Sequence, residues 1–286
     1  MRQDAPYEDR SARARAMRER SRELAMIPGE TLARLTGVRA SPYVAELISE
    51  DLAELGRHLL SPSARRAEQR AAADATNADQ CFAFAQAHFG VGPVQHAPEI
   101  NALLELAREN GARVVCEIGS RDAGTSVLFS RVLRPEQLIV MDLYAKNRWR
   151  LRRAAPPGQT VRVIDGDTSH PLTVARLRRR LGGRRLDLLL IDGDHRWRGV
   201  RCDFINYREF VRDGGLIAFH DICDVTDPDA EGSTGDVPAF WKLISTMYPS
   251  HEFVASPGQQ GLGIGVVRYD SARTIAPVLA AEAPPS

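Results

Sequence analysis

The C-terminal two thirds of the chain alternates short apolar runs with stretches of helical periodicity, and this alternation constrains the fold more than any other feature. The runs are "RVVCEIG" (113–119), "LIVMD" (138–142), "TVRVID" (160–165), "LDLLLID" (186–192) and "GLIAFHD" (215–221). A continuously apolar strand is buried on both faces, as in a parallel sheet that helices cover on each side. The pattern therefore predicts an α/β, doubly wound, mostly parallel sheet.

Two further apolar runs close the pattern. They are "HEFVAS" (251–256) and "GIGVVRY" (263–269), and only a Gly-rich connection separates them. A connection this short favours an antiparallel hairpin over another helical crossover. The prediction is thus a seven-stranded Rossmann-like sheet with a C-terminal antiparallel hairpin.

The first part of the chain is predicted to be helical. Residues 1–25 are charged and rich in arginine, while 41–60 have a capping Ser41, a first-turn Pro42 and leucines on one face. Helices are also predicted at 62–75 and 78–89, and Pro98 opens another. We expect a helical N-terminal extension over 1–95, serving as a lid or in oligomerisation, and a main domain over 96–286. Helices that cannot bury their apolar faces alone favour a homo-oligomer, a dimer or larger.

Composition excludes several classes of protein. A net charge of +1 for 286 residues gives no general attraction to nucleic acid. No stretch approaches the roughly 20 apolar residues that cross a bilayer, and the polar N-terminus has no signal-peptide core. The four cysteines form no CxxC pair, which favours reduced thiols over zinc ligands or disulfides. We therefore expect a cytoplasmic protein that acts on a small molecule.

The ends of the first three strands carry groups that could bind a nucleotide, because ligands of open α/β sheets lie beyond the carboxyl ends of the strands. Strand one ends at Glu117 and continues into a turn bracketed by Gly119 and Gly124. Strand two ends at Asp142, which could accept from both ribose hydroxyls, and Asp167 after strand three could accept from an adenine amino group. Each feature also has a structural alternative: an ordinary tight turn, a helix N-cap or a helix start.

Strands four and five end in ionisable side chains. Asp192, Asp194 and His195 follow strand four, and His220 and Asp221 follow strand five. Because the predicted strand order makes these strands neighbours, the side chains should converge on one edge. Two carboxylates and an imidazole could hold a divalent cation with positions left open for substrate. A plain turn and a hydrogen-bonded His–Asp pair are the structural alternatives.

The ordered segments "VVCEIGSRDAGTSV", "VMD", "DGDTS", "LDLLLIDGDH" and "GGLIAFHD" resemble class I S-adenosylmethionine-dependent O-methyltransferases. Within that class, residues 97–270 are most similar to the metal-dependent sugar O-methyltransferases of antibiotic biosynthesis and to cephalosporin-hydroxylase-like proteins. The resemblance implies an S-adenosyl-L-methionine site, whose predicted residues are Glu117, Gly119, Ser120, Ser126, Asp142, Asp167, Thr168 and Asp192. Relatives often have two glycines where this chain has Ala123-Gly124, and we expect Ala123 to have an ordinary negative φ.

The resemblance also implies a Mg²⁺ site at Asp192, His220 and Asp221. His220 stands where relatives usually have a carboxylate, which favours Mn²⁺, Fe²⁺ or Zn²⁺, or no metal at all. His195 is the predicted general base, because its ordinary pKa of about 6.5 suits the role and it matches a catalytic histidine of some relatives. Other relatives place the base at the position of Asp194, which stays a rival.

The predicted function is methyl transfer from S-adenosyl-L-methionine to a hydroxyl of a sugar, such as a deoxysugar, or of a glycosylated natural product. Two alternatives remain: a metal-independent small-molecule O- or N-methyltransferase, and a non-catalytic nucleotide-binding protein. Activity that survives a chelator would indicate the metal-independent enzyme. Biological function that survives replacement of His195 and Asp221 by alanine would indicate the binding protein. The acidic segment 222–241 could be a substrate loop or a solvated surface, and the arginines of 148–153, 176–185 and 196–201 could meet a nucleotide diphosphate or only solvent.

Overall fold

The computed structural model describes residues 41–90, 92–226 and 234–283. The chain divides into two compact units, Met1–Arg70 and Ala71–Ser286. The helix predicted within 1–25 lies outside the described residues. The boundary predicted at 95/96, the lid or oligomerisation role of 1–95, the homo-oligomer and the cytoplasmic location stay predictions.

The described part of the first unit is helical. Helix α1 (Pro42–Leu60) begins as predicted, since the Ser41 hydroxyl accepts a hydrogen bond from the Val44 N–H at 3.2 Å. The most buried positions of α1 are Val44, Asp51 and His58, whereas Leu59 is exposed. The buried residues of α1 are therefore seven positions apart.

The second unit contains a seven-stranded sheet in the order β3-β2-β1-β4-β5-β7-β6. The strands are β1 (Val114–Ile118), β2 (Gln137–Asp142), β3 (Thr160–Asp165), β4 (Leu186–Ile191), β5 (Val211–His220), β6 (Ser250–Phe253) and β7 (Ile264–Arg268). The helices after α1 are α2 (Pro62–Asp74), α3 (Ala78–His88), α4 (Ala97–Glu109), α5 (Gly124–Leu128), α6 (Arg148–Ala154), α7 (Pro171–Leu181), α8 (Trp197–Tyr207), α9 (Val237–Ser245) and α10 (Ala276–Ala280).

The pairing of the strands confirms the predicted fold class. Strands β1 to β5 pair in parallel, whereas β7 pairs antiparallel with both β5 and β6. All five residues of β1 are buried, and an apolar core lies on each face of the sheet. Continuous burial on both faces explains why these strands have no alternation of polar and apolar residues.

Backbone hydrogen bonds continue the parallel ladder just past the strand ends. The Gly119 N–H donates to the Met141 carbonyl and the Asp192 N–H to the Ile118 carbonyl, each at 2.8 Å. The carboxyl ends of β1, β2 and β4 are thereby held side by side. This shared edge is where the predicted site residues lie.

All four cysteines are free thiols, two of them buried and two partly buried. Among the described helices, none is long and apolar enough to cross a membrane.

Candidate active site

The turn after β1 depends on two close backbone approaches that only glycine allows. Gly119 has a φ of +84°, and a Cβ atom there would overlap the Asp192 carbonyl. A Cβ atom on Gly124 would overlap the backbone of Gly92. Because these glycines have no side chains, β1, β4 and the segment before α4 meet at one point of the sheet edge.

Ala123 precedes α5 in the left-handed conformation, with φ +65° and ψ +23°. The expectation of an ordinary negative φ at Ala123 is therefore wrong. A non-glycine residue there costs of order 1–3 kcal/mol. The turn fixes it in place, since the Ala123 N–H donates to the Ser120 carbonyl at 2.7 Å and its own carbonyl accepts from the Val127 N–H at 3.1 Å.

Glu117 is a buried carboxyl group at the end of β1, with 1% of its surface exposed. The Ser126 hydroxyl on α5 donates to its Oε2. Burial raises the pKa of Glu117 to about 8, and the nearby charges of Asp192 and Asp142 act in the same direction. The side chain therefore favours its protonated form near neutral pH.

Asp142 supports the turn after β1 through its carboxylate. Its Oδ2 accepts from the Ser120 N–H at 2.9 Å and the Arg121 N–H at 2.8 Å, and its Oδ1 accepts from the Tyr144 N–H at 3.1 Å. A carboxylate has about four acceptor positions, so one on Oδ1 is left for a ligand. The Ser120 hydroxyl is buried and has no hydrogen-bond partner among the described residues.

Asp167 and Thr168 lie in the loop after β3. Asp167 is exposed and accepts from the Ser169 N–H at 2.8 Å and the Ser169 hydroxyl at 2.6 Å, which is an Asx turn. The Thr168 carbonyl accepts from the Tyr207 hydroxyl at 2.8 Å, and its side chain is hydrogen-bonded to Asp203. Two residues one turn apart on α8 thus hold this loop.

Two aspartates and two histidines meet where β4 and β5 end. The His220 Nδ1 lies 3.1 Å from the Asp192 Oδ1 and 3.4 Å from the Asp221 Oδ1. The His195 Nε2 lies 3.5 Å from the Asp192 Oδ1, and its Nδ1 lies 3.4 Å from the Asp221 Oδ2. Each imidazole therefore faces both carboxylates, and the four residues are called the Asp–His cluster below.

His220 is the interior member of the Asp–His cluster. Burial alone would lower the pKa of His220, but Asp192 and Asp221 outweigh burial and raise the pKa to about 10. Its Nε2 is buried without a hydrogen-bond partner among the described residues. A buried ring nitrogen with no partner is costly, so its retention points to a role for this imidazole at the site.

Asp221 has a strained backbone. Its φ is +64°, in the left-handed region that aspartate reaches more easily than most residues. This conformation turns the chain directly after β5 and brings the carboxylate under both imidazoles. Strain of this kind is concentrated at functional sites.

The structure treats the two candidate bases differently. His195 has a side chain that is 33% exposed, whereas Asp194 is bound in a bidentate pair with Arg196 at 2.6 and 2.9 Å. The hydrogen bonds from Arg196 lower the pKa of Asp194, which makes Asp194 a weaker base. The Asp–His cluster includes His195 and leaves Asp194 outside.

The donor spacing of the Asp–His cluster fits a divalent cation. One ligand atom each from Asp192, His195 and Asp221 lies within 4.8 Å of the others. Neighbouring ligands of an octahedral ion at about 2.1 Å are about 3 Å apart, close to the 3.1 and 3.4 Å around the His220 Nδ1. A mixed oxygen and nitrogen set suits Mn²⁺, Fe²⁺ or Zn²⁺ better than Mg²⁺.

Sequence reasoning missed two aspartates beside the predicted residues. Asp203 on α8 is 2% exposed and lies beneath Gly193, and Asp236 bonds the backbone on both sides of Arg196. A buried aspartate in an amphipathic helix has no pattern that reveals it. Asp236 precedes "VPAFW", which indicates only an ordinary helix N-cap.

The arginines of 176–185 do not lie together: Arg176 donates to the Asp165 carbonyl, at the carboxyl end of β3. Arg178, Arg184 and Arg185 line a cavity of about 820 Å³ beside the first residues of β4 and β5. The Asp–His cluster follows the last residues of the same strands. Arg178, Arg184 and Arg185 therefore cannot reach a nucleotide diphosphate held at the cluster.

One family model matches part of the chain. Residues 116–222 match the model of a family described as a methyltransferase domain. The matched segment runs from β1 to just beyond β5 and contains the whole Asp–His cluster. No curated protein sequence matches the chain.

Several solved structures are similar in fold. TomG, an O-methyltransferase from Streptomyces achromogenes, is 20% identical with a TM-score of 0.47, covering 68% of this chain and 87% of that one. An O-methyltransferase from Bacillus cereus is 18% identical with a TM-score of 0.46, covering 59% and 80%. MycE from the mycinamycin biosynthetic pathway is 20% identical with a TM-score of 0.39, covering 59% and 48%. At these values the likeness assigns no residue.

Proposed function

We propose that the chain transfers the methyl group of S-adenosyl-L-methionine to a hydroxyl of a sugar or glycosylated natural product. Residues 116–222 match the model of a methyltransferase domain, in agreement with the class predicted from the sequence. The observation that carries this proposal is the Asp–His cluster, which lies at the same sheet edge as the turn after β1. Donor and acceptor could therefore meet there. The reaction forms a bond from the hydroxyl oxygen to the methyl carbon as the bond from sulfur to that carbon breaks.

The donor side of the proposed site is formed by the ends of β1, β2 and β3. Glu117, Gly119 and Ser126 would lie near the methionine part, where the unpartnered Ser120 hydroxyl supplies a hydrogen-bonding group. The remaining acceptor position of the Asp142 Oδ1 would take a ribose hydroxyl. Asp167 and Thr168 would lie beside the adenine, and Asp192 would separate donor from acceptor.

His195 is the proposed general base. A base must reach the hydroxyl of the acceptor, and His195 is the exposed imidazole of the Asp–His cluster, whereas His220 has 3% of its side chain exposed. The Asp221 carboxylate beside Nδ1 orients the imidazole and stabilises it once Nε2 has taken the proton. Asp194 is the weaker candidate, since Arg196 occupies both of its oxygens.

A divalent cation would be held by Asp192, Asp221 and His220. When bound, such a cation lowers the pKa of a coordinated hydroxyl group. Among the described residues, the group whose ligand atoms all lie within 4.8 Å of one another has His195, not His220, as its third member. We favour His220, because its Nδ1 has the shorter distance to Asp192 and because His195 is then available to the acceptor.

The test uses the purified chain, methyl-labelled S-adenosyl-L-methionine, MnCl₂ or MgCl₂, and a panel of hexopyranosides and glycosylated macrolides with adjacent hydroxyls. We expect label in a hydroxyl of at least one acceptor, with loss of transfer in EDTA and recovery on adding the metal. Label in an amine, or transfer that EDTA does not change, would support the metal-independent alternative. Binding of S-adenosylhomocysteine without transfer to any acceptor would contradict the proposal.

A further inference from the structure

Asp236 occupies the N-cap position of α9 but does not cap its own helix. Its side chain makes no hydrogen bond to the first turn of α9. Its Oδ2 instead accepts from the Trp197 N–H at 2.7 Å. Trp197 is the first residue of α8, whose own N-cap residue Arg196 supplies no side-chain cap. An N-cap aspartate ordinarily accepts from the free N–H groups of its own helix. The Asp236 carboxylate instead caps α8, whose first residue lies two positions after His195.

A second hydrogen bond and a tight contact hold His195 itself. The Asp236 N–H donates to the His195 carbonyl at 2.8 Å. Gly235 has a φ of +56°, and a Cβ atom there would lie 2.5 Å from the His195 carbonyl oxygen and 3.0 Å from the His195 Cβ. No side chain fits at position 235 without moving His195. The Gly235-Asp236 pair thus contacts the backbone on one side of His195, and the aspartates of the Asp–His cluster face its ring.

These contacts matter because His195 lies between a strand and a helix. Strand β4 ends at Ile191 and α8 begins at Trp197, so neither element fixes the His195 backbone by regular hydrogen bonding. The Trp197 ring also packs edge-on against the Phe240 ring of α9, with centroids 5.5 Å apart. The start of α9 is therefore joined to the start of α8 by two hydrogen bonds and an aromatic contact.

We propose that Asp236 is a positioning residue of the methyl-transfer site, which fixes the His195 imidazole between Asp192 and Asp221 by bonding the His195 carbonyl and the Trp197 N–H. The inference rests on the proposed function, in which His195 accepts the proton of the acceptor. Displacement of a catalytic group by about 1 Å can cost on the order of 100-fold in rate. Asp236 therefore acts on the reaction through His195 without touching the reacting atoms.

The first test compares Asp236→Ala with Asp236→Asn in the full chain. Asparagine keeps the backbone N–H and an oxygen that can accept from Trp197, whereas alanine loses the oxygen. We expect Asp236→Ala to lower kcat about 10-fold or more, with donor affinity within about twofold of wild type, and Asp236→Asn to recover most of the loss. Asp270→Ala is the matched control, because Asp270 also accepts a backbone N–H, from Ala272, at the opposite end of the sheet.

The second test measures the environment of the His195 ring directly, in a spectrum that requires no methyl transfer. The ring signals of His195 in a histidine NMR spectrum are assigned by their absence in His195→Gln. We expect Asp236→Ala to shift or broaden them and Asp236→Asn to leave them in place. If the wild type transfers no methyl group, the proposed function fails, but these spectra still decide whether Asp236 positions His195. Unchanged spectra and kcat in Asp236→Ala, or equal loss of kcat in both variants, would overturn the inference.

Discussion

The two halves of the sheet edge use their polar groups in different ways. At the ends of β2 and β3, Asp142 and Asp167 accept hydrogen bonds from the backbone of the adjoining turns. At the ends of β4 and β5, each histidine of the Asp–His cluster lies 3.1–3.5 Å from both aspartates, and Asp221 has a strained backbone.

This difference indicates a division of labour along one edge. Carboxylates that accept backbone N–H bonds hold loops in fixed positions, which suits the binding of a ligand of constant shape. Ionisable groups that face one another change charge readily and suit proton transfer or cation binding. The following predictions test this separation, from the largest expected effect to the smallest.

Loss of a cation ligand should have the largest effect. We expect Asp221→Asn and His220→Ala each to weaken Mn²⁺ binding by more than about 100-fold, the upper end of what even indirect metal contacts contribute, in calorimetric titrations with MnCl₂. His195→Ala should stay close to wild type, as should the control Asp224→Asn, whose exposed carboxylate is paired with Lys242. Equal losses of Mn²⁺ affinity in His195→Ala and His220→Ala would show that His195 is a metal ligand, which would contradict its assignment as the general base.

Asp142→Asn tests the donor half of the edge. The amide NH₂ cannot accept a hydrogen bond, so the variant loses part of the support for the Ser120 and Arg121 N–H groups. Charge-assisted hydrogen bonds contribute about 1.5–3 kcal/mol, and titration with S-adenosylhomocysteine should show affinity about 10-fold lower or more. Asp187→Asn is the matched control: Asp187 also accepts two backbone N–H bonds, at the far end of the sheet. An equal loss of donor affinity in that control would contradict a specific role for Asp142.

The raised pKa of the buried Asp203 carboxyl group predicts that the stability of the fold depends on pH. Burial raises its pKa to about 7, with Asp194 and Asp167 adding to the rise and Thr168 opposing it. Between the unfolded pKa near 3.9 and pH 7 the folded chain binds the extra proton, so this contribution to stability declines as pH rises through that window. Asp203→Asn should remove this decline, which amounts to about 3 kcal/mol between pH 5 and pH 8, as urea unfolding at the two pH values would measure. A parallel decline in wild type and variant would exclude Asp203 as its source.

Asp194→Ala should have the smallest effect. Its carboxylate is held by Arg196 and lies outside the Asp–His cluster. We expect kcat for methyl transfer within about threefold of wild type, because no group that contacts the acceptor changes. A fall comparable to that of His195→Ala would exchange the two assignments.

Most of the fold could be predicted from the sequence, because burial on both faces of a parallel sheet leaves continuous apolar runs. The seven strands lie within a few residues of their predicted positions, and β5 extends further back, to Val211. The residues that α1 buries, Val44, Asp51 and His58, could not be predicted, since periodicity locates an apolar stripe but not its packing partner.

The candidate site could be predicted only to the level of the strand ends. Register places Asp192 beside His220, so their meeting follows from strand order. The positive φ of Ala123 follows from hydrogen bonds within the turn that residue type does not reveal. The link from Asp236 to His195 joins residues 41 positions apart, and no local pattern specifies it.

The central claim is that His195 carries out proton transfer while the other half of the edge binds the donor. One paired measurement on His195→Ala tests it: the affinity for S-adenosylhomocysteine and the rate of label transfer to the best acceptor. The account predicts donor affinity within about twofold of wild type and a rate about 100-fold lower or more. An unchanged rate, or a donor affinity that falls as far as the rate, would contradict it.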